Sequence, residues 1–243
     1  MAILELDKVS KRYGQLQVTD NVSLSVAEGE ALGIIGPNGA GKTTIFNLIA
    51  GTILPNSGRI MFGGKDVSPL PARTRCHLGI GRSFQIPHPF IGMTTYENVL
   101  VGAAFGRQKS ERDSAARAIE VLELTGLKRK ANVLAGQLTL LERKRLEMAR
   151  ALASDPKLLL LDEIAGGLTE PECRELVAAI REVQEAGVSI IWIEHVVHAL
   201  MAVVDRIAVV DFGRKIAEGE PKAVMASKAV AEIYMGIDGE AHA

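Results

Sequence analysis

Neither sign of charge dominates this 243-residue chain: 28 lysines and arginines stand against 29 aspartates and glutamates, a net charge of −1. Nucleic-acid binders usually show a basic balance or a clustered basic face. The densest basic group here, Arg143-Lys144-Arg145, lies inside an amphipathic helical pattern, so no nucleic-acid partner is expected. Cysteine is nearly absent. Cys76 and Cys173 are far apart and lack metal-like spacing, which argues against a disulfide framework or zinc site and fits a reducing compartment. Long apolar runs are also missing. Stretches such as Val188 to Ile193, interrupted by Ser189, fall far short of a membrane span. The start, Met1-Ala2-Ile3-Leu4-Glu5, has no basic residues before an apolar stretch, so no signal peptide is expected. Any membrane role must come through a partner.

What is present is ordinary globular composition, 47% hydrophobic and 23% charged, long enough for one large domain or a domain with an insertion. Ile3 to Val9 reads as a strand, followed by a turn at Arg12-Tyr13-Gly14 and a second strand at Val22 to Val26. Ala31 to Ile35 is a short apolar run ending at glycine, the pattern of a buried parallel strand, and Thr43 to Ala50 reads as a helix stopped near Gly51. From about Ile86 to Leu152 strand patterns vanish, with helical periodicity in Ser110 to Leu124 and Leu141 to Leu152. Strand patterns return at Lys157 to Leu161, Val188 to Ile193 and Ile207 to Val210, with a helix over Pro171 to Ala186 between the first two. This alternation predicts an α/β fold with a parallel sheet. The expected division is one domain over 1–243: an N-terminal β segment at 1–30, a core over 31–85 and 155–243, and a helical insertion over 86–154.

Gly36-Pro37-Asn38-Gly39-Ala40-Gly41-Lys42-Thr43 fits G-x-x-x-x-G-K-[ST] at every position. Glycines let the backbone turn tightly so that successive N–H groups face an anion. The helix that follows adds its unpaired N–H groups and positive dipole end. This pattern assigns Lys42 to the β- and γ-phosphates and the Thr43 hydroxyl to Mg²⁺, with Thr44 at the end of the loop. ATP and Mg²⁺ are the expected ligands of this P-loop NTPase core. Leu158-Leu159-Leu160-Leu161-Asp162-Glu163 is a buried strand delivering two carboxylates at its C-terminal end, the edge where open α/β sheets hold ligands. Asp162 is placed to hold Mg²⁺, and Glu163 to orient or deprotonate an attacking water.

With these motifs in this order, the chain resembles the ATPase subunits of ABC transporters over nearly its whole length. That resemblance implies a RecA-like parallel core with an N-terminal antiparallel β segment and an inserted helical subdomain. It makes Tyr13 the aromatic that stacks on adenine. Gln85, in Ser83-Phe84-Gln85, becomes the Q-loop glutamine that contacts Mg²⁺ and water, and His195, in Ile193-Glu194-His195, the switch histidine near the γ-phosphate. Leu168 and Thr169 fall in the D-loop, which contacts the opposite subunit. The similarity is strongest to branched-chain amino acid importer ATPases, on Ile193-Glu194-His195, Ala165-Gly166-Gly167-Leu168 and Ile233-Tyr234-Met235-Gly236. Lipopolysaccharide-export ATPases share much of this pattern.

The family signature Leu-Ser-Gly-Gly-Gln aligns to Leu138-Thr139-Leu140-Leu141-Glu142, a register fixed by Arg145 and by Ala149-Arg150-Ala151-Leu152. Thr139 keeps a hydroxyl for the ATP of a partner subunit. Both glycines are leucines, and Glu142 brings negative charge towards that anion. Ile164 stands where the family has proline, and Val196 where the close relatives have aspartate. The implied partners are transmembrane permease subunits and a second ABC ATPase subunit, identical or paralogous, at the cytoplasmic face of the membrane. Ile86-Pro87-His88-Pro89-Phe90-Ile91 is either the segment that touches the permease or a packed loop. Import of branched-chain amino acids or related small polar solutes is the expected function. A lipopolysaccharide-type exporter and a non-transport ABC switch protein are the alternatives.

Overall fold

The computed structural model describes residues 1–106, 110–228 and 230. The Ile233 to Gly236 segment used in the resemblance lies outside the described residues. Strands β1 (Ala2–Tyr13) and β2 (Leu16–Ala27) form an antiparallel hairpin. Buried β3 (Ala31–Ile35) runs through the glycine loop into helix α1 (Lys42–Ala50). Then come β4 (Ser57–Phe62), β5 (Lys65–Asp66), α2 (Ala72–Leu78) and β6 (Ile80–Arg82). The helical stretch comprises α3 (Thr95–Gly106), α4 (Glu111–Leu124) and α5 (Leu140–Ala153). The chain closes with β7 (Leu158–Asp162), α6 (Glu170–Glu185), β8 (Ser189–Ile193), α7 (Val197–Met201), β9 (Arg206–Asp211), β10 (Arg214–Gly219) and α8 (Pro221–Met225).

Two sheets result. The antiparallel one runs β2-β1-β4-β5, and the other runs β10-β9-β3-β8-β7-β6, parallel from β9 to β6. Successive strand residues face opposite sides, so each buried strand feeds two cores. Leu159, Leu161, Ile190 and Trp192 pack with α3, α4, α5 and α6. Leu158, Leu160, Ile191 and Ile193 pack with α1 and the antiparallel sheet. Each fully buried aliphatic side chain contributes about 1.5–3 kcal/mol. That accounts for near-continuous apolar strands in place of alternation.

Several elements are absent from the pattern reading, and each has a local reason. β4 and β5, at residues 57–66, join the antiparallel sheet although they lie within the stretch expected to be core. β4 carries Gly58 at φ 84°, where an added Cβ would lie 2.4 Å from Lys8 O. β6 has three residues, too few to show a period. α2 carries a fully buried arginine, Arg75, whose guanidinium donates to Leu48 O at 2.5 Å and Ile49 O at 3.0 Å. Arg75 thereby satisfies carbonyls at the C-terminal end of α1. Burial pushes its pKa down to about 10, with Asp66 opposing.

Candidate nucleotide site

Four neighbouring strands, β3, β8, β7 and β6, deliver the glycine loop, His195, Asp162-Glu163 and Gln85 to one edge of the sheet. The loop is held from outside. Gly36 has φ 151°, and a Cβ there would lie 2.0 Å from Val210 O; Gly41 has φ 98°, and a Cβ there would lie 2.6 Å from Val18 O. Ala40 O accepts from Gly213 N at 2.9 Å. Strand β2 and the β9–β10 turn therefore press directly on the loop backbone. Gly41 is the N-cap of α1, and no side chain caps that helix. Its leading amides stay available to an anion at the positive end of the dipole. Pro37 is half-buried, Asn38 and Gly39 are exposed, Ala40 is buried, Thr43 is exposed and Thr44 half-buried.

Lys42 is buried. Its ammonium donates to Gly36 O at 2.7 Å and Pro37 O at 2.8 Å. Burial pushes its pKa below the ordinary lysine value, against the pull of Glu163 and Asp162. Asp162 is also buried, and burial raises its carboxyl above the usual range even though Arg82 Nη2 lies 3.0 Å from Oδ2. Arg82 also donates to Asn47 Oδ1 of α1 at 2.6 Å and stands 5.1 Å from the Phe84 ring centre.

Glu163 is the hub. Its backbone adopts φ 46°, which is uncommon for a side chain with a Cβ, and its N–H donates to Ile193 O at 2.8 Å. One carboxylate oxygen accepts from Gln85 Nε2, and the other lies 2.7 Å from His195 Nε2. With Glu163 ionised, that histidine nitrogen carries the proton. Three of the expected site residues thus meet in one hydrogen-bonded cluster, beside Lys42 and Asp162.

Other expected residues lie apart from that cluster. Tyr13 ends β1, half-exposed, with Lys11 Nζ 5.3 Å from its ring centre. In the expected signature segment Leu138 and Leu141 are buried and Leu140 is exposed; a Cβ on Gly167, just before the expected D-loop residues Leu168 and Thr169, would lie 3.4 Å from Leu140 Cδ2. Thr139 caps α5 in a reciprocal box with Glu142: Thr139 N donates to Glu142 Oε2 at 2.9 Å, and Glu142 N to Thr139 Oγ1 at 3.3 Å. Lys130 lies 3.0 Å from Glu142. Burial works to raise the Glu142 carboxyl, but the Thr139 amide and Lys130 outweigh it and hold its pKa below the ordinary value. The carboxylate expected to oppose a partner's phosphate is therefore engaged by this chain's own Thr139 amide and Lys130. Thr169 and Glu172 make a second such box at the start of α6.

Three charges at this edge carry no motif, Lys144 and Glu194 buried and Arg82 half-buried. Arg82 sits in a strand too short to detect. Lys144 belongs to a basic run inside an amphipathic helical pattern. Glu194 adjoins His195, and its carboxylate accepts from Ala165 N at 2.9 Å, His195 N at 2.9 Å and Val196 N at 3.2 Å. For Lys144 and Glu194, the available signal was a charged residue on the inward side of its element.

The donors fit a hard cation. Asp162 supplies a desolvated carboxylate, Thr43 a hydroxyl at the open end of α1, and Gln85 the amide oxygen left once its nitrogen is given to Glu163. Among the described residues no cluster of three or more His, Cys, Asp or Glu side chains forms a metal site. Mg²⁺ needs no such cage, because it takes one or two carboxylates together with phosphate and water oxygens.

Comparison with known proteins agrees with this geometry. Residues 19–166 match the family described as ABC transporter. The chain is 35% identical to the high-affinity branched-chain amino acid transport ATP-binding protein BraF of Pseudomonas aeruginosa, covering 96% of this chain and 98% of that one. It is 33% identical to the lipopolysaccharide export system ATP-binding protein LptB of Haemophilus influenzae, covering 97% and 98%. The solved ADP conformation of MJ1267, an ATP-binding cassette of an ABC transporter, is 32% identical and superposes with a TM-score of 0.88, covering 97% and 99%. With a P-loop at the head of α1 and carboxylates facing it from β7, this chain belongs to the ABC transporter family, as an ATPase subunit.

Proposed function

We propose that the chain hydrolyses ATP at this sheet edge to drive import of branched-chain amino acids or related small polar solutes through a membrane-spanning permease. The observation that carries the hydrolytic step is Glu163, fixed between Gln85 and His195 beside the phosphate loop. The amides of the loop and the Lys42 ammonium would take the phosphate charge, Lys42 exchanging its two carbonyl partners for phosphate oxygens. Tyr13 would stack on the adenine. Thr43, Asp162 and Gln85 would hold Mg²⁺, which would supply neutralisation of the phosphate charge. Glu163 would orient a water and accept its proton, while His195 holds the carboxylate in place. Positioning of this kind supplies about 7–11 kcal/mol of the barrier reduction in well-aligned reactions.

Amino-acid import is supported by the likeness to BraF and by the Ile193-Glu194-His195 and Ala165-Gly166-Gly167-Leu168 sequences. A second reading, lipopolysaccharide-type export, has the likeness to LptB behind it. Among the described residues no helix is long and apolar enough to cross a membrane, so a permease would have to be met at the surface. Phe84, Ile86, Phe90 and Ile91 are exposed together after β6 and offer the apolar face for that contact. In a dimer, Thr139 at the head of α5 would face the partner's ATP. Leucines at 140 and 141 weaken that half-site and favour a paralogous partner with an intact signature.

The test is ATP turnover by the full chain with Glu163→Gln. An expected fall of at least about 100-fold with nucleotide affinity retained supports the assignment. Unchanged turnover removes it.

A further inference from the structure

Arg143, Lys144 and Arg145 follow one another on α5, and they diverge. Arg143 donates to Leu138 O at 2.8 Å, within its own helix start, and Arg145 reaches the exposed Glu175 at 3.2 Å. Lys144 turns inward and is 5% exposed. Its ammonium donates to Gln85 O at 3.1 Å and Glu163 O at 3.4 Å. A buried ammonium is costly unless carbonyls or carboxylates take its protons. The two that do so here are the main-chain oxygens of the two residues whose side chains meet in the hub.

The backbone around Glu163 is therefore fastened from two sides. Lys144 holds the Glu163 carbonyl, while Glu194, 2% exposed, takes the amides of Ala165, His195 and Val196. Glu163 occupies φ 46°, a conformation that persists in a non-glycine residue only where the surroundings over-determine it. We propose that Lys144 is a positioning residue for hydrolysis. One ammonium on the signature helix sets the carbonyls of Gln85 and Glu163 at the separation that brings the Gln85 amide to the Glu163 carboxylate. The role rests on the reading of Glu163 as the group that activates water. It also ties the seating of α5 to the sheet edge at the reacting carboxylate itself, so a shift of the helical segment moves Glu163.

Lys144→Met keeps most of the stem volume and removes the donors. In the full chain, kcat is expected to fall about 30- to 100-fold, the scale of a misplacement near 1 Å. KM for ATP and equilibrium affinity for Mg·ATP stay within about twofold, because the loop amides and Lys42 are untouched. Lys144→Arg, which keeps a cation with several donors, is expected to recover most of kcat. Wild-type turnover in Lys144→Met overturns the proposal. So does a loss of affinity equal to the loss of kcat, or a Lys144→Arg variant no better than Lys144→Met, since either marks a general packing role. Should Lys144→Met not fold, Lys144→Gln, with one amide for two carbonyls, carries the same expectation at about tenfold in kcat. Glu163→Gln assayed alongside separates the two ideas. If it turns over normally, the water-activation reading falls and this one with it. If it is inactive while Lys144→Met works, only the positioning role falls.

Discussion

The chain presents two helix starts that its sequence marks for anions, and it finishes them differently. At α1 the N-cap is Gly41, in a left-handed conformation, with no side chain on the leading amides. At α5 the N-cap is Thr139, closed by a reciprocal box with Glu142 and bridged to Lys130. The α1 end is left open for phosphate, and its loop is braced by the close carbonyls of Val18 and Val210 and by the Gly213 amide. The α5 end satisfies itself, so any partner's phosphate there competes with a carboxylate of this chain. An anion site at a helix start thus depends on what the chain leaves unsatisfied as well as on the dipole.

The largest effects should come from spoiling the open end. Gly41→Ala puts a Cβ where Val18 O stands 2.6 Å away, at φ 98°, so the loop must shift. ATP affinity in an equilibrium titration should fall at least about 100-fold, roughly 2.7 kcal/mol. Retained affinity would mean that loop amide geometry does not govern binding.

Next in size is the carboxylate that faces this end. Burial raises Asp162, and Arg82 partly offsets it, so Mg²⁺-dependent turnover should fade on acidification at a higher pH than an exposed aspartate would give. Arg82→Ala removes the offset and should move that limb to higher pH, so that turnover on its acidic side falls further below wild type. The fold does not share this limb. The folded value lies above the unfolded one, so protonation of Asp162 adds stability as pH falls. A thermal melt that weakened in step with turnover over the same range would contradict the assignment.

The smallest effects concern the closed end. Thr139→Ala opens the box and should cost about 1 kcal/mol, lowering Tm by about 2–4 °C. Glu142→Gln keeps a box-competent side chain while removing the charge. Its exposed bridge to Lys130 contributes at most about 1 kcal/mol, so Tm should barely move. ATP-driven association should strengthen about two- to threefold at low salt and less at high salt. No change in association would show that no phosphate reaches α5.

Much of the scaffold was legible because it is local. Gly36 to Thr43 is contiguous, and β3, β7 and β8 are apolar but for Ser189 and Asp162, so strand, loop and carboxylate pair could be read in order. The charged residues behind the site were not legible. Lys144 sits between two arginines, and its place three residues after Leu141 and four before Met148 is the one weak signal that it turns in. Arg75 and Arg82 belong to a seven-residue helix and a three-residue strand, lengths at which periodicity carries little signal.

The sequence by itself determined the phosphate loop, the α/β alternation and the signature's departure to leucine, because each is written in neighbouring residues and in the periods of single elements. Only the tertiary structure decided that Gln85, Glu163 and His195 share one cluster and that Lys144 anchors two of its backbones. Those contacts join positions 78, 32 and 59 residues apart. They exist because parallel strands from distant parts of the chain end at the same edge and α5 packs against it, and no local pattern encodes which ends will meet.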